Sequence, residues 1–178
     1  MTGLQEGKWV VVLPENCLVV VEIPQGSRNK YEYDAELGRF KLDRMLFSSV
    51  HYPNDYGFIP ETLADDGDAL DAMVFVAEAT FPGCVIESRP VGVLRMWDEK
   101  GDDAKIICAP LRDPLWSYIQ SLDDIPEHNL KEIEHFFLIY KQLEHKETGS
   151  KGWGGREEAL EVIAESRKAH LKASVRSV

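Results

Sequence analysis

The first two-thirds of the chain alternate between short apolar runs and turn signals. Runs rich in Val, Ile, Tyr and Phe are separated by Gly, Pro and Asp, a pattern typical of a mainly β domain. Many short strands joined by tight turns favour a small barrel. Tight turns are predicted at 36–38 and 99–102, where glycine accepts a positive φ. The pattern predicts strands near residues 9–13, 18–23, 28–34, 39–44, 72–76, 84–96 and 104–109.

The period of the pattern changes after Pro126. Apolar residues from Leu130 to Tyr140 recur at helical spacing, and proline suits a first helical turn, so we predict a helix over 127–144. A second amphipathic segment predicts a helix over 156–171. Between them, the stretch 146–151 is polar and contains glycine, which argues against a strand there.

Length and composition restrict the class of protein. The chain has 178 residues, 44% of them hydrophobic, which suits a single domain over 1–178. A net charge of −11 disfavours nucleic acid and anionic membranes as partners. The apolar runs are too short to cross a bilayer and a secretory signal is missing, so we expect a cytoplasmic protein. The three cysteines lack zinc-site spacing and are predicted to be reduced, buried thiols.

An acidic cluster precedes the strand predicted at 72–76. Asp65, Asp66, Asp68 and Asp71 lie within seven residues, and like charges this close require solvent exposure or a compensating cation. Carboxylate oxygens suit Mg²⁺, Mn²⁺ or Ca²⁺. The EF-hand spacing fails, so calcium sensing is disfavoured. For these residues taken alone, a solvated acidic turn remains the alternative to a metal site.

A second acidic group favours the metal site. Asp98, Asp102 and Asp103 lie at a predicted turn between two strands, and two such turns are able to meet at one end of a barrel. The sequence has no GxSxG, Walker A or GxGxxG motif, which removes the common serine-hydrolase, P-loop and dinucleotide-binding classes. The five histidines show no ligand spacing and are interpreted as surface or interface residues.

Candidate phosphate-binding side chains stand at strand and helix ends. Lys30 and Glu32 share one face of a predicted strand, because side chains alternate with a period of two. Arg44 ends the next strand. For the tyrosines, packing in the core is the alternative to a functional role. The remaining candidates are Tyr52, Tyr56, Tyr140 and Lys141.

From about Val19 to Ala169, these segments together resemble the soluble family I inorganic pyrophosphatases. The family's aspartate motif, usually DGDPxD, is matched by Asp66–Asp71, with Ala69 in the position of the proline. The other matching segments are Val21–Pro24, Asn29–Glu32, Leu42–Arg44, Tyr52–Gly57, Arg89–Gly92, Asp98 with Asp103 and Lys105, His135–Phe137, Tyr140–Lys141 and Gly152–Trp153.

The resemblance implies a fold and an activity. The expected fold is α+β, a five-stranded OB-like β-barrel with two main helices packed outside. The expected activity is Mg²⁺-dependent hydrolysis of pyrophosphate, with Mn²⁺ or other divalent ions able to substitute, in a homo-oligomer that is a hexamer in bacterial-type relatives. The loop at Ala69 is expected to be less rigid, because a fixed φ is lost, while activity is retained.

The resemblance also implies a role for each site residue. Asp68 is the implied general base, and Tyr52 and Lys105 are implied to support the network of phosphate-binding side chains. The implied metal ligands are Asp66, Asp71, Asp103, Asp98, Glu22 and Glu32. The implied phosphate-binding residues are Lys30, Arg44, Tyr56, Tyr140 and Lys141. Two other functions remain to be compared, an OB-like module that binds single-stranded nucleic acid and a relative that has lost catalysis.

Overall fold

The computed structural model describes residues 15–176, and most of the predicted elements form within them. The predicted strand near 9–13 lies outside the described residues. Two three-residue 3₁₀ turns, Leu122–Asp124 and Gln142–Glu144, flank the first helix. The strands and helices are β1 (Cys17–Ile23), β2 (Asn29–Asp34), β3 (Arg39–Met45), β4 (Asp55–Phe58), β5 (Asp71–Val74), β6 (Val85–Asp98), β7 (Gly101–Pro110), α1 (Glu127–Ile139), β8 (Thr148–Gly154) and α2 (Arg156–Arg176).

Five of the strands close into a ring. The sheet order is β1-β4-β5-β7-β6-β8, and an additional antiparallel pairing of β1 with β6 closes the first five of these strands into the ring. β8 continues the sheet beyond β6, outside the ring. Helix α2 packs against β6 and α1 packs against β8. The predicted mainly β fold, a five-stranded barrel with two main helices, is therefore confirmed.

Two hydrophobic clusters lie on opposite faces of the strands, because side chains alternate along a strand. On β5, Met73 belongs to a cluster that includes Phe137 of α1. Its neighbours Ala72 and Val74 belong to a second cluster, which includes Ile163 of α2. Each helix thus covers one set of apolar side chains. Neither helix within residues 15–176 is long and apolar enough to cross a membrane.

β2 and β3 form a separate two-stranded ribbon. The predicted hairpin turn joins them, with Gly38 at a φ of 60° and the Asp34 carboxylate accepting hydrogen bonds from two turn amides. Lys30 lies directly opposite Arg44 in the register of the two strands. The ribbon therefore carries two candidate phosphate-binding residues side by side.

The structure corrects four local predictions. The helix predicted to reach residue 144 ends at Ile139, where the Thr148 hydroxyl donates to the Phe137 carbonyl at 2.8 Å in place of a further helical turn. β4 was missed because it is short and contains glycine. β8 was predicted not to form, but β6 pairs with it along 148–154. The prediction that all three thiols are buried is wrong for Cys84, which is only partly buried. All three cysteines are free thiols.

Candidate active site

One cavity of about 650 Å³ brings every predicted site residue together. It opens where the acidic turn before β5, the β6–β7 turn, the β2–β3 ribbon and the end of α1 meet. The predicted residues that line it are Glu22, Lys30, Glu32, Arg44, Tyr52, Tyr56, Asp66, Asp68, Asp71, Asp98, Asp103, Lys105, Tyr140 and Lys141. The expected meeting of the two acidic turns is confirmed, while the individual roles of these residues stay predictions.

The acidic turn before β5 is held mainly by its own backbone. The Asp66 carboxylate accepts a hydrogen bond from the Asp68 amide at 3.1 Å, and the Asp68 carbonyl accepts one from the Ala64 amide at 2.8 Å. Gly67 has a φ of 91°, in the left-handed region that favours glycine. The turn thus has a defined conformation with Ala69 in the position of the proline.

A buried lysine lies between the two acidic turns. Lys105 of β7 is only 4% exposed at its side chain and donates to Asp71 and, at 2.5 Å, to Asp103. Burial alone would lower the pKa of Lys105, but the two carboxylates raise it above its ordinary value. Burial raises the pKa of Asp103, and the attraction of Lys105 only partly opposes this. Lys105 therefore stays charged and holds the two aspartates together.

Tyr56 presents a hydroxyl to the same carboxylate. Its Oη donates to the Asp71 Oδ2 at 2.5 Å, while its ring packs against Phe137 of α1 with the centroids 5.7 Å apart. Burial, followed by the charge of Asp71, raises the pKa of Tyr56 well above its ordinary value. The tyrosine is thus a neutral hydrogen-bond donor whose body belongs to the core.

The end of α1 contacts the β6–β7 turn through an ion pair. Lys141 Nζ lies 2.8 Å from Asp98 Oδ2, and both side chains are largely buried. Burial alone would raise the pKa of Asp98, but the bonds from Lys141 and from the Lys100 amide bring it below its ordinary value. In the same turn, Lys100 Nζ lies 3.8 Å from the exposed carboxylate of Asp68.

Strand β1 contributes Glu22 to the lining of the cavity. Its carboxylate accepts a hydrogen bond from the Tyr33 amide at 2.7 Å. Burial raises the pKa of Glu22 to about 7; the Tyr33 amide opposes the rise and Asp71 adds to it. Along β2, Lys30 donates to Glu32, which confirms that these two side chains share a face.

Tyr52 and Tyr140 line the cavity although both residues are buried. Tyr52 is 1% exposed and packs on Phe136 with the centroids 4.7 Å apart. Tyr140 stacks on the same phenylalanine at 5.3 Å and lies under the Lys141 ammonium. These two tyrosines therefore pack in the core and also line the candidate site.

Sequence reasoning missed several charged residues at this site. Asp43, Glu99, Lys100 and Lys146 also line the cavity. The available signal was that Asp43 and Glu99 directly adjoin the predicted residues Arg44 and Asp98. Glu144 accepts a hydrogen bond from Arg44 at 2.9 Å. No sequence signal connects these two residues, because 100 positions separate them.

The donor set fits a hard divalent cation by its chemistry. Carboxylate oxygens from β1, β2, β5 and the two acidic turns face one cavity, and such oxygens are the ligands that Mg²⁺ prefers. Among residues 15–176, no three acidic, histidine or cysteine side chains stand close enough to hold one ion as they are placed. The ammonium groups of Lys105 and Lys141 pair with Asp71, Asp103 and Asp98, so one oxygen of each of these carboxylates is already engaged by a lysine.

The barrel and its cavity define a class of protein. In this class, carboxylates suited to divalent metal ions and basic side chains suited to phosphate lie together at one open site. Residues 19–171 match the family model described as inorganic pyrophosphatase. An inorganic pyrophosphatase of Methanosarcina mazei is 59% identical over 154 residues, covering 86% of this chain and 91% of that protein. One from Synechocystis is 52% identical over 84% of this chain and 89% of that protein.

Solved structures agree with the sequence relatives. The crystal structure of inorganic pyrophosphatase from Thermus thermophilus superposes with a TM-score of 0.86 at 45% identity, covering 94% of this chain and 96% of that one. The enzyme from Helicobacter pylori gives a TM-score of 0.88 at 40% identity, covering 93% and 99%. The chain therefore belongs to the inorganic pyrophosphatase family.

Proposed function

We propose that this chain hydrolyses inorganic pyrophosphate to two orthophosphates with Mg²⁺ as its cofactor. The observation that carries the proposal is the cavity itself, in which carboxylates for divalent ions and cations for phosphate oxygens lie together. Pyrophosphate is a small, highly charged anion, so both kinds of group are needed around it. Family membership supports the same substrate.

The proposed metal ligands are the carboxylates that face the cavity from several elements. Asp66, Asp71 and Asp103 would hold the ions nearest the reacting water, and Glu22, Glu32 and Asp98 would hold further ions or their waters. The chemistry that Mg²⁺ supplies when bound is neutralisation of phosphate charge and a lower pKa for water. Mn²⁺ or another hard divalent ion would substitute, because the ligands are all oxygens.

Asp68 is the proposed general base. Its side chain is 74% exposed, so solvent water reaches its carboxylate directly. In the proposed reaction, a water oxygen forms a bond to one phosphorus and its proton passes to Asp68. The bond from that phosphorus to the bridging oxygen breaks, and the leaving orthophosphate keeps the electron pair. A positioned general base contributes about 10²–10⁴-fold to such a step.

The proposed phosphate-binding groups surround these carboxylates. Lys30 and Arg44 come from the ribbon and Tyr140 and Lys141 from the end of α1, so the substrate would be held from two sides. Tyr56, kept neutral by burial, would turn its hydroxyl from Asp71 to donate a hydrogen bond to a phosphate oxygen. These donors stabilise the charge that develops on the leaving phosphate.

The alternative of single-stranded nucleic acid binding finds no support at this site. Such binders use a positively charged groove with stacking aromatic rings. Here acidic side chains outnumber basic ones around the cavity, and the rings of Tyr52 and Tyr140 are buried in the core. We also retain the expectation of a cytoplasmic location. The expected homo-hexamer is tested by light scattering in solution.

Phosphate release from pyrophosphate tests the proposal. Wild-type protein should release phosphate with Mg²⁺ and stop when EDTA is added. Asp68→Asn should lower kcat by about 10²–10⁴-fold. The matched control is Asp65→Asn, which makes the same change at a neighbouring exposed carboxylate that does not line the cavity. Activity that is indifferent to the metal, or equal in the two variants, would contradict the proposal.

A further inference from the structure

Arg44 is held by a carboxylate from a distant part of the chain. Its Nε donates to Oε1 of Glu144 at 2.9 Å. Glu144 lies in the 3₁₀ turn that follows α1, and its side chain is only 7% exposed. A carboxylate so deeply buried is costly unless it is paired, so the bond to Arg44 is strongly favoured over a free orientation.

The pairing leaves one end of the guanidinium available. Nη1 of Arg44 donates to Asp43, and Nε is taken by Glu144. In the part of the chain between residues 15 and 176, no hydrogen bond from Nη2 is observed. Because a guanidinium is planar with its donors in a rigid fork, fixing Nε and Nη1 also fixes the direction of Nη2. Arg44 lines the cavity, where Nη2 is able to meet a phosphate oxygen.

The turn that carries Glu144 also carries Lys141. The Glu144 amide donates to the Lys141 carbonyl at 2.9 Å, and the Lys141 ammonium reaches Asp98 at 2.8 Å. The short turn after α1 therefore connects two phosphate-binding candidates, Lys141 at its start and Arg44 on the ribbon.

We propose that Glu144 is a positioning residue, which orients the guanidinium of Arg44 toward a phosphate group of the substrate. The inference rests on the proposed pyrophosphatase activity and adds to it a residue that makes no contact with substrate. Without Glu144, Nε loses its partner and the guanidinium rotates about its remaining bond to Asp43, so its contact with phosphate is weakened. Neutral glutamine at this position keeps the shape of the side chain and weakens the bond to Arg44.

A double-mutant cycle tests the inference. Glu144→Gln should lower kcat/KM for pyrophosphate about tenfold, mainly through KM, the loss expected for weakening one charge-assisted hydrogen bond. In an Arg44→Ala background the same change should alter kcat/KM less than about twofold, because the residue that Glu144 orients is gone. Glu147→Gln is the matched control, since Glu147 is exposed and three positions away; it should leave activity unchanged.

A rescue experiment separates positioning from simple anchoring of the ribbon. Millimolar guanidinium added to Arg44→Ala should restore part of kcat/KM, and this rescue should disappear in the Arg44→Ala, Glu144→Gln double variant. If Glu144→Gln retains wild-type kcat/KM, or if the two single losses multiply, the positioning role is wrong. Rescue that survives loss of Glu144 also overturns it. A wild type that releases no phosphate would instead refute the proposed function, and the inference with it.

Discussion

Removal of the buried ammonium of Lys105 is the most direct test of how the site is held together. Lys105→Met keeps an unbranched apolar side chain and removes the ammonium, whose Nζ lies 5.6 Å from the ring centroids of Tyr56 and of Phe137. It removes the single charge that lies between Asp71 and Asp103. The two carboxylates then face each other with only the Tyr56 hydroxyl bonded to Asp71.

The expected cost follows from the burial of the group. Lys105 is 4% exposed at its side chain, and breaking a buried ion pair by removing one partner costs about 3–5 kcal/mol. For a domain of this size, that corresponds to a fall of about 6–20 °C in the unfolding midpoint. The exposed pair of Lys151 with Asp102 offers the matched control, because a surface ion pair contributes about 0–1 kcal/mol.

Urea unfolding in EDTA, at one protein concentration, measures the two variants. Lys105→Met should lose several times more free energy of unfolding than Lys151→Met. Under the proposed cation binding, adding Mg²⁺ should reduce the deficit of Lys105→Met, because a bound ion compensates the unpaired carboxylates and stabilises the folded state. Equal losses in the two variants would refute the electrostatic reasoning. A deficit unchanged by Mg²⁺ would count against Asp71 and Asp103 as metal ligands.

Two further predictions concern the backbone around the site. Gly57→Ala should prevent folding or destabilise the protein by more than about 3 kcal/mol, because an added Cβ would lie 1.9 Å from the Val20 carbonyl oxygen. Gly155→Ala, which meets nothing within 4 Å, should stay within about 1 kcal/mol of wild type, and similar urea midpoints for the two would contradict this steric reasoning. Ala69→Pro should raise stability by about 0.4–1 kcal/mol by restricting the unfolded chain, with activity retained. A lower unfolding midpoint would show that the turn does not accept the φ of proline.

Much of the fold was predictable because it depends on local periodicity. The apolar run of β1, the apolar stripe of α1 and the turn at Gly38 each reflect neighbours within a few residues. β8 was not predictable from such patterns. Its residues are polar and glycine-rich, and it forms because β6 offers a partner and because Gly149 leaves room for the Trp97 ring, 2.3 Å from where a Cβ would lie.

The candidate site also has a part that was predictable from the sequence and a part that was not. The types of residue, carboxylates for a cation and lysine, arginine and tyrosine for phosphate, are written in the sequence and its motifs. Their pairing is not. The bonds of Lys105 to Asp71, of Lys141 to Asp98 and of Arg44 to Glu144 join positions 34, 43 and 100 residues apart.

The sequence by itself determined which chemistry is present, because residue type and short spacing decide charge, periodicity and turn preference. The tertiary structure decided which of those charges meet and how deeply they are buried. These contacts could not be predicted from local sequence patterns, because the closing of β1 onto β6 and the placement of the end of α1 beside the ribbon bring distant residues together. Burial then sets their electrostatics, so that Glu22 has a raised pKa and Lys105 stays charged between two aspartates.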